Sequence, residues 1–143
     1  MQHLAQINIA KLLHPIDDPR IAEFVNNLDR INALAERSKG FVWRLKDEND
    51  NATSINAFGN PLWIINMSVW ESAKDLMDFV YKSGHVEIMR QRGKWFEPAT
   101  QATMALWWVA PGHEPDVEEA KSKLEYLRAN GESEEVFTFK KFF

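Results

Sequence analysis

The segment from Tyr81 to Phe96 combines side chains that are able to move protons, hold anions and stack on planar molecules. It contains one imidazole, two guanidiniums and three aromatic rings, carried by His85, Arg90, Arg92, Tyr81, Trp95 and Phe96. A histidine titrates near neutral pH, so it can act as an acid or a base, or ligate haem iron. Because this mixture is unfavourable in an ordinary core, we expect a pocket with His85 as its acid or base. The pocket walls would be Tyr81, Trp95 and Phe96. The alternative for His85 is a polar residue that starts a short helix.

Two arginines are candidates for binding negative charge in the same pocket. Arg44 lies in the middle of an apolar strand, where a charge needs a partner or an anionic ligand. Arg92 precedes two aromatic residues, Trp95 and Phe96, that can stack on a ligand. Either guanidinium would stabilise an enolate or phenolate as it forms. The alternatives for Arg44 are an ion pair with a barrel carboxylate or simple exposure at an edge. The alternative for Arg92 is a solvated surface position.

Polar side chains interrupt an otherwise apolar strand at Asn66 and Ser68. Buried amides and hydroxyls need hydrogen-bond partners. These two residues therefore either orient a ligand or bond each other. We include both among the predicted ligand-binding residues.

Several chemistries have no support in the sequence. The four histidines are scattered and there is no cysteine, so no metal site is predicted. The chain has no Gly-x-Ser-x-Gly turn, and it has no glycine motif for a phosphate or a dinucleotide. We therefore predict no resident cofactor, with haem bound through His85 as the alternative.

Composition is typical of a single-domain globular protein. The 143 residues, of which 45% are hydrophobic and 27% charged, suit one domain over residues 1–143. The net charge of −4 argues against binding to nucleic acid or to an anionic membrane. No apolar run reaches the ~20 residues of a membrane span. Since the N-terminus lacks the features of a signal peptide, the expected location is the cytoplasm.

Hydrophobic periodicity predicts the elements that would position these residues. Alternation predicts strands over residues 4–10, 41–46, 62–70, 100–109 and 136–139. Helical spacing predicts helices from Asp18 to Gly40, from Ser72 to a break at Gly84, and over residues 85–92 and 116–129. The polar residues 47–60 are predicted to form a long loop.

The resulting order is β-α-β-β-α-β with an appended C-terminal helix and strand. This order predicts a ferredoxin-like α+β sandwich. Its helices would cover only one face of the sheet, so we expect a second copy to cover the other and to form a homodimeric α/β barrel. The partly polar lumen of that barrel would carry Gln6, Asn8, Asn66 and Ser68.

Strings distributed along the chain resemble a known family. They are Leu4–Asn8, Gly40–Leu45, Asn66–Trp70, Phe79–Tyr81 with His85, Arg92–Phe96, Leu106–Trp108 and Phe137–Phe139. Together they resemble a bacterial domain-of-unknown-function family of the dimeric α/β-barrel superfamily. The strand that ends in Trp70, followed by a helix and Tyr81-x-Ser-x-His85, is similar to the antibiotic-biosynthesis monooxygenases. That second resemblance implies a pocket for a small organic molecule, with cofactor-free oxidation in some relatives and haem binding in others.

The sequence therefore predicts a protein with a pocket for a small organic ligand. The first hypothesis is a monooxygenase-like enzyme in which His85 performs acid–base chemistry and Arg44 or Arg92 stabilises negative charge. Two alternatives stay open, because the residues do not decide whether the protein is an enzyme. One is a non-catalytic small-molecule-binding protein, and the other is a haem-binding protein with His85 as the axial ligand.

Overall fold

A computed structural model describes residues 1–46 and 58–140 of the chain. Most of the predicted long loop, residues 47–57, lies outside the described residues. The strands are β1 (His3–Lys11), β2 (Phe41–Arg44), β3 (Trp63–Trp70) and β4 (Met104–Val109). The helices are α1 (Ala22–Glu36), α2 (Ala73–Lys82), α3 (His85–Arg90) and α4 (Val117–Asn130). These elements follow the predicted order as far as α4.

Three of the helical segments begin at a polar residue that satisfies a free backbone N–H group. The side-chain oxygens of Asp18, Ser72 and Asp116 accept backbone N–H groups at 2.8, 3.1 and 2.8 Å. Such a cap typically contributes about 1 kcal/mol to helix stability. The first predicted helix starts as a short 3-10 turn, Pro19–Ile21, because proline fits the first turn, before it continues as α1.

The four strands form an antiparallel sheet in the order β2-β3-β1-β4. The central strand β1 pairs with β3 on one side and with β4 on the other. This arrangement is a ferredoxin-like α+β sandwich, as predicted. The predicted last strand is only an isolated bridge, in which backbone groups of Leu106 and Phe137 exchange hydrogen bonds of 2.8 and 3.0 Å. It is this short because the chain turns again at Phe139.

Helices pack on both faces of the sheet within a single chain. Helices α1 and α2 pack on one face, where the buried residues are Leu4, Ala35, Trp70, Leu76, Phe79, Leu106 and Phe137. Helix α4 packs on the opposite face, where the buried cluster includes Ile7, Met67, Trp107, Ala120, Leu124 and Leu127. The expectation that helices cover only one face is therefore wrong, because the appended helix α4 provides a second layer.

The polar residues of the sheet also lie on a different side from the one expected. Gln6, Asn8, Asn66 and Ser68 belong to the face that α1 and α2 cover, and they line the space beneath those helices. Alternation along a strand determines which residues share a face. It does not determine which helices will cover that face, which is why the expected side was wrong.

Assembly of the chain with a second copy stays a prediction. The four strands in the described residues do not close into a barrel. None of the helices in residues 1–46 and 58–140 has the length and apolar character that crossing a membrane requires.

Candidate functional site

A cavity of about 810 Å³ lies between the sheet and helices α1, α2 and α3. Its volume falls in the range of pockets that bind small organic molecules. Most of the predicted site residues line it, namely Arg44, Asn66, Ser68, Tyr81, His85, Arg92 and Phe96. The fold therefore brings these residues together from two strands, the α2–α3 region and the segment that follows. Their functional roles stay predictions.

A hydrogen-bonded polar network forms the floor of the cavity. Gln6 Nε2 donates to Asn66 Oδ1 at 2.7 Å and to Ser68 Oγ at 2.8 Å, and Trp70 Nε1 donates to Ser68 Oγ at 2.9 Å. The Ser68 oxygen thus accepts two hydrogen bonds, so its remaining hydrogen-bonding group is its own O–H donor. Asn8 lies opposite Asn66 in the sheet, and both side chains are exposed.

Two members of this network, Gln6 and Trp70, were not among the predicted site residues. Gln6 is only 7% exposed. The Trp70 ring stacks on Phe79 with centroids 5.3 Å apart. Period-two spacing was the available signal, because Gln6 alternates with Asn8 and Trp70 lies two residues after Ser68 on the same face.

The break between α2 and α3 places His85 at the cavity. Ser83 has an extended backbone, with φ −109° and ψ −176°, whereas Gly84 keeps helical angles of −60° and −14°. Gly84 lies in the predicted break between α2 and α3, and the change of backbone direction falls on Ser83. The Ser83 hydroxyl donates to the carbonyl of Phe79 and accepts the backbone N–H of His85 at 3.2 Å. A serine that bonds the backbone in this way competes with continuation of the helix.

The surroundings of His85 favour the neutral imidazole and one of its tautomers. Its Nδ1 lies 3.4 Å from the carbonyl oxygen of Val80. Because a carbonyl only accepts, Nδ1 carries the proton and Nε2 keeps its lone pair. Burial lowers the pKa of His85 below its ordinary value, and the hydrogen bond to Val80 opposes part of that effect. At neutral pH His85 therefore offers Nε2 as a base.

The two candidate arginines occupy different environments. Arg44 is 6% exposed, and its Nη2 lies 3.3 Å from Glu36 Oε1 on α1. Arg44 also lines the cavity, and its ion pair is with a helix carboxylate and not with the barrel carboxylate of the alternative interpretation. Arg92 is exposed at the edge of the cavity. Both guanidiniums thus border the cavity, that of Arg44 paired with Glu36, and the carboxylate of Glu132 belongs to the same lining.

The rings predicted to wall the cavity divide between wall and core. Trp95 is 1% exposed and packs in a separate buried cluster with Leu12, Ile21 and Phe24, so it does not line the cavity. The rings of Trp95 and Phe96 are nearly perpendicular, at 87°, and Phe96 is the one that lines the cavity. Tyr81 lines the edge and is 50% exposed.

The C-terminal segment forms another side of the cavity through Thr138 and Phe139. Glu132 Oε1 accepts the backbone N–H and the hydroxyl of Thr138 at 2.8 and 2.7 Å. The Phe139 ring meets Tyr81 edge-on, with centroids 5.6 Å apart. This segment is therefore held by polar contacts at Thr138 and by an aromatic contact to α2.

The groups that line the cavity include an acid–base side chain and hydrogen-bond donors. In the part of the chain that the structure describes, no group of three His, Cys, Asp or Glu side chains is placed to hold a metal ion. What the cavity does combine is a neutral imidazole, hydrogen-bond donors on its floor and two guanidiniums. These groups can remove a proton and bind the oxygen on which charge develops.

The fold is similar to those of solved structures. A conserved protein from Methanosarcina mazei Go1 aligns with a TM-score of 0.52 and 13% identity, covering 77% of this chain and 93% of that one. SnoaB from Streptomyces nogalater, a cofactor-independent oxygenase, aligns with a TM-score of 0.51 and 15% identity, covering 81% of this chain and 100% of SnoaB. At these identities the likeness shows the fold alone.

No curated protein matches the chain. A family model described as a domain of unknown function, DUF3291, matches residues 3–143. The match covers nearly the whole chain and includes every residue of the cavity. It confirms the resemblance to a domain-of-unknown-function family, and the chain belongs to the DUF3291 family.

Proposed function

We propose that this protein is a cofactor-independent, monooxygenase-like enzyme that acts on a small oxygenated aromatic molecule in the cavity. The observation that carries the proposal is the neutral imidazole of His85, with Nδ1 bound to the Val80 carbonyl and Nε2 left basic. A base at the wall of a cavity of about 810 Å³ is suited to take a proton from an acidic carbon or hydroxyl of a bound molecule. The shared fold with SnoaB, a cofactor-independent oxygenase, supports the same reaction class.

The reaction needs no redox group from the protein. His85 Nε2 takes a proton from the acidic methylene of an aryl ketone, and the resulting carbanion transfers electrons to O₂. A carbon–oxygen bond forms and gives a hydroperoxide. Loss of water then leaves a new carbonyl, so that one oxygen atom enters the substrate. The other oxygen leaves as water with the two methylene hydrogens, one of which has passed through His85.

The floor of the cavity is suited to the charge that this step creates. The hydroxyl of Ser68, whose oxygen already accepts two N–H groups, has its own proton left to donate. The amide of Asn66 accepts from Gln6 through Oδ1, which leaves its N–H groups as donors. Donors aimed at a ligand oxygen would stabilise an enolate more than the starting ketone. Arg44 and Arg92 add positive charge nearby.

Oxygen uptake with a tricyclic aryl ketone that has an acidic methylene, such as anthrone, tests the proposal. We expect the protein to consume one O₂ per ketone oxidised. His85→Gln should retain binding, measured by calorimetry, and lose oxygen uptake by roughly a hundredfold, the size of a general-base effect. The matched control is His113→Gln, since His113 is exposed and bonds Glu119 at 2.7 Å, away from the cavity.

Two other results would replace the proposal. Binding of the ketone without any oxygen uptake would indicate a small-molecule-binding protein. A Soret band that appears with added haem, and that His85→Gln removes, would indicate a haem-binding protein. Equal oxygen uptake by the wild type and His85→Gln would exclude His85 as the base.

A further inference from the structure

The end of α2 provides two backbone carbonyls that hold the side chains beyond it. The last carbonyls of a helix lack partners within the helix. The hydroxyl of Ser83 donates a hydrogen bond to the carbonyl of Phe79. Nδ1 of His85 donates one to the carbonyl of Val80. Consecutive carbonyls of one helical turn therefore fix Ser83 and His85 side by side.

The side chain of Ser83 also bonds the backbone of His85 directly. The Ser83 oxygen accepts the N–H of His85 at 3.2 Å. No side chain caps α3 at its preceding residue, Gly84. A single hydroxyl thus connects the end of α2 to the first residue of α3. Because the Ser83 backbone is extended, this hydroxyl spans the point at which the two helices change direction.

The charged groups around the turn are engaged elsewhere. On α1, Arg30 donates to Asn27 at 3.0 Å. On α2 and α3, the ion pairs are Lys82 with Asp78 at 3.2 Å and Arg90 with Glu87 at 3.0 Å. Tyr81 and Arg92 line the same cavity as the imidazole. None of these pairs includes His85, whose ring instead contacts the Val80 carbonyl and the Phe79 ring, with ring centroids 5.1 Å apart.

We propose that Ser83 is a positioning residue for His85. Its hydroxyl fixes the α2–α3 turn, and this keeps Nδ1 of the imidazole on the Val80 carbonyl and leaves Nε2 available as the base. The inference rests on the proposed role of His85, but its structural part is independent of turnover. Ser83 acts through His85 and does not need to touch the substrate.

Two substitutions of equal shape isolate the hydroxyl. Ser83→Thr keeps it and Ser83→Val removes it, and a β-branched residue suits the extended backbone at this position. Nitrogen-15 NMR of the imidazoles, with His85 assigned by its loss in His85→Gln, reports both tautomer and pKa without substrate. We expect Ser83→Thr to match the wild type. Ser83→Val should show a mixture of tautomers and a His85 pKa still further below its ordinary value, because the hydrogen bond to Val80 that raises this pKa is weakened.

Turnover of the ketone then tests the positioning role of Ser83 separately from the proposed oxygenase activity. We expect Ser83→Val to lower kcat by roughly tenfold, with KM changed less than about twofold, because base catalysis is impaired while binding is kept. Unchanged tautomer and pKa in a folded Ser83→Val protein would overturn the positioning role, whatever the turnover. An altered tautomer in a protein that never consumes O₂ would support positioning and overturn the oxygenase. If Ser83→Val does not fold, Ser83→Ala is read by the same spectra.

Discussion

His85 Nδ1 lies 3.4 Å from the carbonyl oxygen of Val80, five residues earlier in the chain. This contact joins the first residue of α3 to the last turn of α2. It favours the tautomer with the proton on Nδ1, and it opposes part of the lowering of the His85 pKa that burial causes.

The lowered pKa of His85 predicts that stability falls in weak acid. In the unfolded chain the imidazole titrates near its ordinary value of 6.5. Between the folded pKa and that value the unfolded chain binds more protons, so the free energy of unfolding decreases as pH is lowered through this window. We expect the urea midpoint to fall more for the wild type than for His85→Gln between about pH 7.5 and pH 5. Equal decreases would mean that folding does not lower this pKa.

Ser68→Ala should destabilise the protein although it removes one atom. The substitution leaves the N–H of Trp70 without its acceptor. The side-chain amide of Gln6 loses one of its two hydrogen-bond acceptors. We expect the free energy of unfolding to fall by about 1–3 kcal/mol, the range for buried groups that lose a partner. The control, Ser122→Ala on the exposed side of α4, should stay within about 0.5 kcal/mol in the same urea titrations. Similar effects of the two substitutions would contradict the buried network.

Gly40→Ala should be more destabilising than alanine at other glycines. Gly40 has φ +83°, and an added Cβ would lie 2.2 Å from Asp75 Oδ2. Backbone strain and the forced shift of Asp75 together predict a loss of about 2–4 kcal/mol.

Two control glycines separate these causes in thermal or urea unfolding. Gly112 has φ +88° with open space around it, and Gly93 has open space without a positive φ. We expect Gly112→Ala to lose about 1 kcal/mol from strain alone and Gly93→Ala to be close to neutral. A Gly40→Ala protein no less stable than Gly112→Ala would show that Asp75 moves away at little free-energy cost.

Substitution of Trp95 should affect mainly the stability of the protein, and substitution of Phe96 should affect mainly ligand binding. Trp95 is buried against Phe24, with ring centroids 5.6 Å apart, whereas Phe96 lines the cavity. We expect Trp95→Phe to lower the free energy of unfolding by roughly 1–3 kcal/mol and to leave the Kd for anthrone within about twofold. Phe96→Ala should raise that Kd by about tenfold or more. Calorimetry checks both values, and a larger effect of Trp95→Phe on Kd would place Trp95 at the ligand.

Local sequence signals were sufficient for most of the fold. The helix caps at Asp18, Ser72 and Asp116 form hydrogen bonds of the kind that their residue types predict. Strand alternation also explains why Trp107 and Trp108 pack in clusters on opposite faces of the sheet. Both signals act over a few residues, so tertiary contacts do not override them.

The misplaced features depend on contacts between distant residues. No periodicity reveals that α4 covers Trp107, since that requires the helix to return across the sheet. The same applies to Trp95 and Phe96, because adjacent aromatic residues give no sign of which one faces a core and which one a cavity. The site residues were found where polar side chains interrupted an apolar pattern, as at Ser68. Gln6 was expected in the same lumen as Ser68, but no local signal indicates its hydrogen bond to Ser68, 62 residues away, so it was not among the predicted site residues.

The contacts of the C-terminal segment have a thermodynamic consequence for ligand binding. Thr138 and Phe139 line the cavity, and the segment docks through Glu132, Tyr81 and the Leu106–Phe137 bridge. A ligand that touches these two residues binds more tightly to the protein when the segment is docked than when the segment is detached. By reciprocity, the factor by which docking improves affinity equals the factor by which ligand suppresses detachment. Slower amide hydrogen exchange at Phe137 would then report occupancy of a site to which Phe137 itself makes no contact.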